Sequence, residues 1–241
     1  MAGSVTTALT NSSLAEYFSA GHCYLPPKSG IAVTANSTTA VTLGSATAGI
    51  AVGMAVTGTN VPANDYVSAI SAGTATSLTI SIATTGNNSS MTFTGDVFKI
   101  LLLASALAGN VAYGATQTNV GTPGSNTPST SNVGTDEVAP SGSYSSGGLA
   151  LTNAAITQTN PVNSAAVGFS TTIQWTSATL NVTGAIIYNT STRLTASGAP
   201  QNNRAVAVYS FGGPQSVTAG TLTLTQPTQD GTTGLIRLSP N

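Results

Sequence analysis

Short apolar runs separated by Gly, Pro, Ser, Thr and Asn recur along the chain and predict β-strands almost throughout. The run Leu78-Thr79-Ile80-Ser81-Ile82 alternates cleanly, which places every second side chain on one face of a strand. From residue 149 onward such runs follow at an even spacing without helical patterns between them, which is typical of a β-sandwich or jelly roll. We therefore expect an all-β protein, with Trp175 and Phe211 as core anchors. The strands expected in this second half are 166–169, 173–178, 180–188, 205–211, 221–225 and 235–238.

One short helix is expected near the N-terminus, over Ser13–Phe18. Ser13 and Glu16 have the spacing of a capping box, in which each side chain satisfies a backbone N–H at the helix start. Gly21 then provides a residue suited to ending the helix. The helix would have two turns at most.

The chain divides into two expected units. Residues 30–95 hold short apolar runs broken by Gly, Thr and a Pro-containing turn, and they predict a small inserted β domain of four to six strands. Residues 1–29 form an arm that belongs with the main β-sandwich domain, residues 96–241. A unit of this small size without a disulfide is marginal alone, so we expect it to lean on the rest of the chain or on a neighbour.

Two stretches of the main domain stand apart. The apolar run that begins at Phe98-Lys99 and ends at Ala108 is too short to cross a bilayer, which takes roughly 20 apolar residues, so it predicts a buried strand. Residues 114–148 have no periodicity and many Gly, Pro and Ser residues, and they predict a long surface loop. Long loops in compact domains tend to be functional or to be ordered by a partner.

Charge is scarce. Charged residues make up 5% of the chain, against roughly 25% in an ordinary soluble domain, so the surface must consist of neutral hydrogen-bonding side chains. The net charge of −1 does little to keep copies apart, which suits a subunit of an assembly. A nucleic-acid surface needs clustered basic residues, and here they are scattered. They are Lys28, Lys99, Arg193, Arg204 and Arg237.

Candidate catalytic residues are few, with one His and one Cys in the chain. His22 and Cys23 are adjacent, so in an extended segment their side chains point to opposite faces and form no dyad. We expect His22 to be a capping or buried polar residue and Cys23 to be a small buried apolar residue. No Cys/His spacing suits zinc and no loop has the calcium or phosphate pattern, so we expect no cofactor and no metal.

The acidic residues point the same way. Asp136-Glu137 is the only acidic pair, and its place in the Gly/Ser/Pro stretch favours a solvated or subunit-contacting role over paired-carboxylate chemistry. Asp65 and Asp230 stand beside turn residues, and turn chemistry accounts for them. We therefore expect a protein that is not an enzyme and has no catalytic, cofactor-binding or metal-binding residues.

The order of segments in the second half carries a resemblance. It is formed by residues 143–151, by Trp175-Thr176 with 183–189, and then by 203–213, 217–224 and 234–238. This order resembles tailed-phage virion proteins described as head decoration, cement or head-fibre proteins. In that group a short N-terminal helix leads directly to a Phe-Lys-apolar strand, which here would be Ser13–Phe18 and Phe98–Leu103. The resemblance implies that residues 30–95 are an insertion, and it carries over no catalytic residue.

These features lead to one main hypothesis and two alternatives. The main one is a structural virion protein on the capsid exterior, made in the host cytoplasm. It would bind the major capsid protein across subunit boundaries, without nucleic acid or membrane. Threefold sites of an icosahedral shell favour a homotrimer, and the N-terminal arm and loop 114–148 are the candidate contacts. The first alternative is a tail or head fibre that binds a host receptor or carbohydrate. The second, a polysaccharide depolymerase, is disfavoured by the shortage of acid–base residues.

Overall fold

The expected all-β fold is confirmed in a computed structural model. The structure describes residues 6–9, 24–45, 49–71, 76–105, 113–114, 116–154, 157–159, 164–191, 193–194, 200–228 and 236–238. The helix expected over 13–18 lies outside these residues, as do His22 and Cys23. Within the described ranges, no helix has the length and apolar character needed to cross a membrane.

Sixteen strands and one short 3-10 helix make up the described structure. The strands are β1 (Thr6–Leu9), β2 (Lys28–Asn36), β3 (Ala40–Leu43), β4 (Ala55–Gly58), β5 (Val67–Ile70), β6 (Ser77–Ile80), β7 (Asn87–Thr94), β8 (Phe98–Ala104), β9 (Leu149–Leu151), β10 (Thr157–Thr159), β11 (Ser164–Val167), β12 (Ile173–Asn189), β13 (Arg193–Leu194), β14 (Pro200–Gln201), β15 (Arg204–Leu224) and β16 (Ile236–Leu238), and the 3-10 helix is Gly134–Asp136.

The main sheet has five antiparallel strands in the order β1-β15-β12-β8-β9. Its two long strands differ from the expectation, because 173–178 and 180–188 are parts of the single strand β12, and 205–211 and 221–225 both fall on β15. The ladder continues through irregularities, of which the largest sets residues 211–214 of β15 between two paired segments. Gly212 takes a positive φ of 71° there, which glycine adopts without strain.

The predicted buried strand at the apolar run is confirmed from Phe98 to Ala104 as β8, while residues 106–108 of the run lie outside the described residues. The sheet explains why the run is continuous. Phe98, Ile100 and Leu102 pack into one hydrophobic cluster, whereas Leu101 and Leu103 pack into another. Since successive side chains of a strand point to opposite faces, both faces of the sheet are covered here. A strand covered on both faces reads as an unbroken apolar run rather than an alternation.

The larger cluster forms where β12 curls. Trp175 and Leu180, from the first half of β12, pack in the same cluster as Ala185 and Ile187 from its second half. Trp175 and Phe211 are both buried, as expected. The curled antiparallel sheets are consistent with a β-sandwich, whereas the jelly-roll variant is not confirmed.

Residues 28–94 hold a separate six-stranded sheet in the order β4-β7-β2-β3-β6-β5. Its outer strands meet, because Ala55 pairs with Tyr66 and the Val67 N–H donates to the Met54 carbonyl at 2.9 Å. The sheet thus closes into a small barrel around its own core, which includes Phe93. The expected alternation from residue 78 holds for Leu78 and Ile80, but β6 ends there, and Ile82 is 41% exposed.

The stretch 114–148 is not the surface loop that its composition predicts. Val120 and Val133 are fully buried and pack with Leu101 and Leu103 on one face of the main sheet. A tip around residues 122–127 remains mostly exposed. This irregular segment therefore serves as a covering layer of the sheet, with an exposed tip.

Candidate functional site

In the part of the chain that the structure describes, the charged side chains are buried or half-buried. Seven have described surroundings, of which five are buried and two, Lys28 and Lys99, are half-buried. The buried ones are Asp65, Asp96, Asp136, Glu137 and Arg204. The described surface is therefore made of neutral groups, with little long-range electrostatic field.

Glu137 is the most elaborate of these buried groups. Its Oε1 accepts hydrogen bonds from the Gly147 N–H at 2.6 Å and from the Tyr144 hydroxyl at 2.8 Å, and its Oε2 accepts one from the Ser146 hydroxyl at 2.9 Å. The solvated role expected for this carboxyl is wrong, because these three donors surround it. They fold the turn at 144–147 back onto the residue that follows the 3-10 helix.

The same turn is tied to the main sheet by two tyrosines. The Leu102 N–H donates to the Tyr144 hydroxyl oxygen at 3.1 Å, and the Tyr188 hydroxyl donates to the Gly147 carbonyl at 2.7 Å. Burial raises the pKa of Tyr144 and of Tyr188, and the nearby charge of Glu137 raises both further. Both hydroxyls therefore stay protonated and act as fixed hydrogen-bond donors.

The electrostatics of Glu137 are a balance of opposing effects. Burial raises its pKa above the ordinary glutamate value. The bonds from Tyr144, Ser146 and Gly147 and the positive charge of Lys99 act in the opposite direction, but burial dominates. With its oxygens already accepting three bonds, the carboxyl is a structural acceptor rather than a general base poised for a substrate.

Asp136 is fully buried, so the solvated role is wrong for this residue too. The Tyr113 hydroxyl donates to its Oδ2 at 2.7 Å, and burial followed by this bond raises the pKa of Tyr113. The carboxyl thus helps to hold the start of the covering segment. Neither acidic residue of the pair is placed to contact a partner directly.

Where the covering segment lacks regular strand pairing, side-chain amides donate hydrogen bonds to its backbone carbonyls. Gln117 is buried, and its amide donates to the carbonyls of Asn119 at 2.7 Å and Ser129 at 3.2 Å. Asn132 donates to the Thr127 carbonyl at 3.2 Å. Because buried backbone groups need partners, these amides let an irregular segment lie against the sheet.

The other residues singled out from the sequence do not gather into a site. Arg204 is buried, and burial lowers its pKa to about 10. Asp65 accepts from the Tyr66 N–H at 2.8 Å and from the Ser81 hydroxyl at 2.7 Å, which fits the expected turn role. Asp230 lies outside the described residues. Among the residues that the structure describes, no group of His, Cys, Asp or Glu could hold a metal ion.

A candidate contact surface is the outer face of the ribbon that β12 forms with the second half of β15. Its exposed side chains are neutral and can all form hydrogen bonds: Gln174, Thr176, Thr179 and Asn181 on β12, and Ser216, Thr221 and Thr223 on β15. The opposite face carries Trp175 and Leu180 into the core. Such a face can associate through shape and many neutral hydrogen bonds.

Comparisons with protein-family models, with curated proteins and with solved structures found no match for this chain.

Proposed function

We propose that this protein is a structural component of a phage particle, which decorates the capsid exterior and stabilises it by binding across capsid subunits. The observation that carries the proposal is the scarcity of exposed charge: of the seven charged side chains whose surroundings are described, five are buried and two are half-buried. A protein that lives free in solution usually relies on surface charge to stay apart from its copies. A subunit that is held in an assembly has no such requirement.

The neutral surface also fits the mechanical task. Attraction between exposed charges weakens as salt rises, because the screening length falls to about 3 Å at 1 M ionic strength. Contacts made through shape, apolar burial and neutral hydrogen bonds are much less affected. In this proposal the partner is the major capsid protein, and a homotrimer at threefold sites of the shell is the assembled form.

The covering segment supports the proposal in a second way. Its buried part is held together by Glu137 and the amides described above, and Tyr144 and Tyr188 bond it to the sheet. Residues 122–127 form an exposed tip without a charged residue. A rigid base with a neutral tip suits a contact that must keep its geometry under load. The N-terminal arm remains the other proposed contact.

Reattachment to stripped particles tests this proposal. Purified protein would be mixed with capsids from which it has been removed, and binding measured by co-sedimentation at low salt and at 1 M salt. We expect the apparent dissociation constant to change by less than about threefold, since screening acts mainly on exposed charges. A loss of binding at high salt would contradict a neutral contact surface, and failure to bind at any salt would contradict decoration.

A fibre-type protein that binds a host receptor or carbohydrate is the second candidate, and one observation favours it. Among the described residues, the exposed large apolar side chains all lie between residues 52 and 97: Val52, Tyr66, Ile82 and Val97. Three of these lie within the six-stranded barrel. Exposed apolar side chains that lie together on one surface mark binding sites in soluble proteins.

A further inference from the structure

The outer edge of β15 is paired with another strand along only part of its length in the described structure. Near its start the edge is covered, because β1 lies antiparallel against residues 207–210. From Gln215 to Leu224 the described partner of β15 is β12, on the inner side only. At about 3.3 Å per extended residue, the two regularly paired segments, 215–217 and 222–224, each span about 10 Å. A row of outward-facing backbone groups therefore has no strand beside it in the described structure.

Natural proteins protect such edges with charged residues, Pro, bulges or short length. The segment 215–224 contains no charged residue and no Pro. The pairing is irregular between Val217 and Leu222, where Ala219 has a positive φ of 47°, yet 215–217 and 222–224 are both in regular register with β12. Val217, Leu222 and Leu224 pack against the main core but stay partly exposed. In the described structure the edge thus offers both backbone groups without a neighbouring strand and incompletely covered apolar side chains.

We propose that this edge, residues 215–224, binds the same edge of a second copy of this chain. β1 already demonstrates that the outer side of β15 accepts an antiparallel strand. Two identical edges pair antiparallel about a two-fold axis, and each residue then makes the same contact in both copies. Like charges opposite each other oppose cross-strand pairing, and this edge has none.

The pairing would also complete the burial of the apolar side chains. Val217, Leu222 and Leu224 lie on the core side of the ribbon, whereas Thr221 and Thr223 face outward. A second strand in the same sheet extends both faces, so its apolar side chains would flank those of the first. This two-fold contact is distinct from the threefold contact of the proposed homotrimer, and it can be measured on the purified protein alone.

Charge placed on the edge tests the proposal. The double variant Thr221→Lys, Thr223→Lys adds two positive charges to exposed positions of the edge strand. The matched control Gln174→Lys, Thr176→Lys adds the same charges to the same face, one strand inward, since Gln174 lies opposite Thr223. Sedimentation velocity would give the dissociation constant of self-association for the full-length chain. We expect it to rise at least about tenfold in the edge variant and less than about twofold in the control.

Hydrogen exchange on the unmodified chain provides a readout that does not depend on any variant. Amides within 215–224 should exchange more slowly at concentrations where the chain is associated than where it is monomeric. The proposal is overturned if the chain stays monomeric up to the highest soluble concentration, or if it associates without added protection in 215–224. Equal weakening by both lysine pairs would also overturn it, because the effect would then be one of net charge.

Discussion

Replacing Glu137 tests whether its buried carboxyl holds the covering segment in place. Glu137→Ala removes the acceptor of three hydrogen bonds and leaves the Gly147 N–H buried without its partner. An orphaned buried donor costs about 1–3 kcal/mol, and the Tyr144 hydroxyl also loses its acceptor. We expect the free energy of unfolding to fall by about 3 kcal/mol, which lowers Tm by roughly 6–12 °C for a chain of this size.

Glu137→Gln separates hydrogen bonding from charge. The amide oxygen can keep the bonds from Gly147 and Tyr144, and Ser146 is exposed and can turn its hydroxyl to accept from the new amide. We expect the free energy of unfolding to change by less than about 1 kcal/mol. Thr135→Ala is the matched control, because Thr135 is an exposed neighbour in the 3-10 helix, and its removal should change stability by no more than about 0.5 kcal/mol.

The pH dependence of these variants has a defined sign. Burial raises the pKa of Glu137 in the folded chain above its unfolded value, so the fold binds this proton more tightly than the unfolded chain does. The resulting stabilisation is complete below the unfolded pKa of about 4.3 and is lost as pH rises through the folded pKa. Thermal unfolding at pH 4 and pH 8 would be followed by circular dichroism. The free energy of unfolding of the wild-type chain, minus that of Glu137→Gln, should be larger at pH 4 than at pH 8. A smaller difference at pH 4 would refute the dominance of burial.

Two further substitutions test the packing of the main sheet, each by thermal unfolding against a matched control. Gly148→Ala should destabilise the fold by more than about 3 kcal/mol, because φ is +73° there and the added Cβ would collide with the Ile100 carbonyl. In the control, Gly114→Ala, the added Cβ has open space, so stability should change little. Equal effects of the two variants would contradict the close approach of Gly148 to Ile100. Trp175→Ala should lower the free energy of unfolding by about 3–5 kcal/mol, because the side chain is 1% exposed in the core. The control Gln174→Ala, at an exposed neighbour, should lower it by less than about 0.5 kcal/mol. A similarly small loss for Trp175→Ala would contradict its role as a core anchor.

The strands were predictable where local pattern reflects the environment of the strand. The unbroken apolar run at Phe98 indicates β8 because both faces of that strand are covered. The β12 and β15 strands were each divided in the prediction. Between the two predicted parts of β15 lies Gly212-Gly213-Pro214, which has the composition of a turn. In the structure this stretch is a large bulge, and β15 pairs with β12 again from Gln215. Composition does not distinguish a bulge from a turn, because both use residues tolerant of unusual φ.

The buried acidic pair could not be predicted in the same way. Glu137 stands in a Gly/Ser/Pro context that ordinarily indicates solvent, and the donors that hold it lie at residues 144, 146 and 147. The link to the sheet comes from Leu102, which is distant in sequence. The one local signal was Tyr144, a large aromatic side chain within a run of Ser and Gly, which a truly solvated loop has no need to contain.

The location and copy number of the protein on purified particles test the proposed function most directly. Quantitative mass spectrometry would give copies per particle relative to the major capsid protein, and imaging of intact particles would give their positions. Decoration predicts a fixed stoichiometry with the major capsid protein and density spread over the outer shell. A few copies at the tail or a single vertex would contradict decoration and support the fibre alternative, and absence from particles would contradict both.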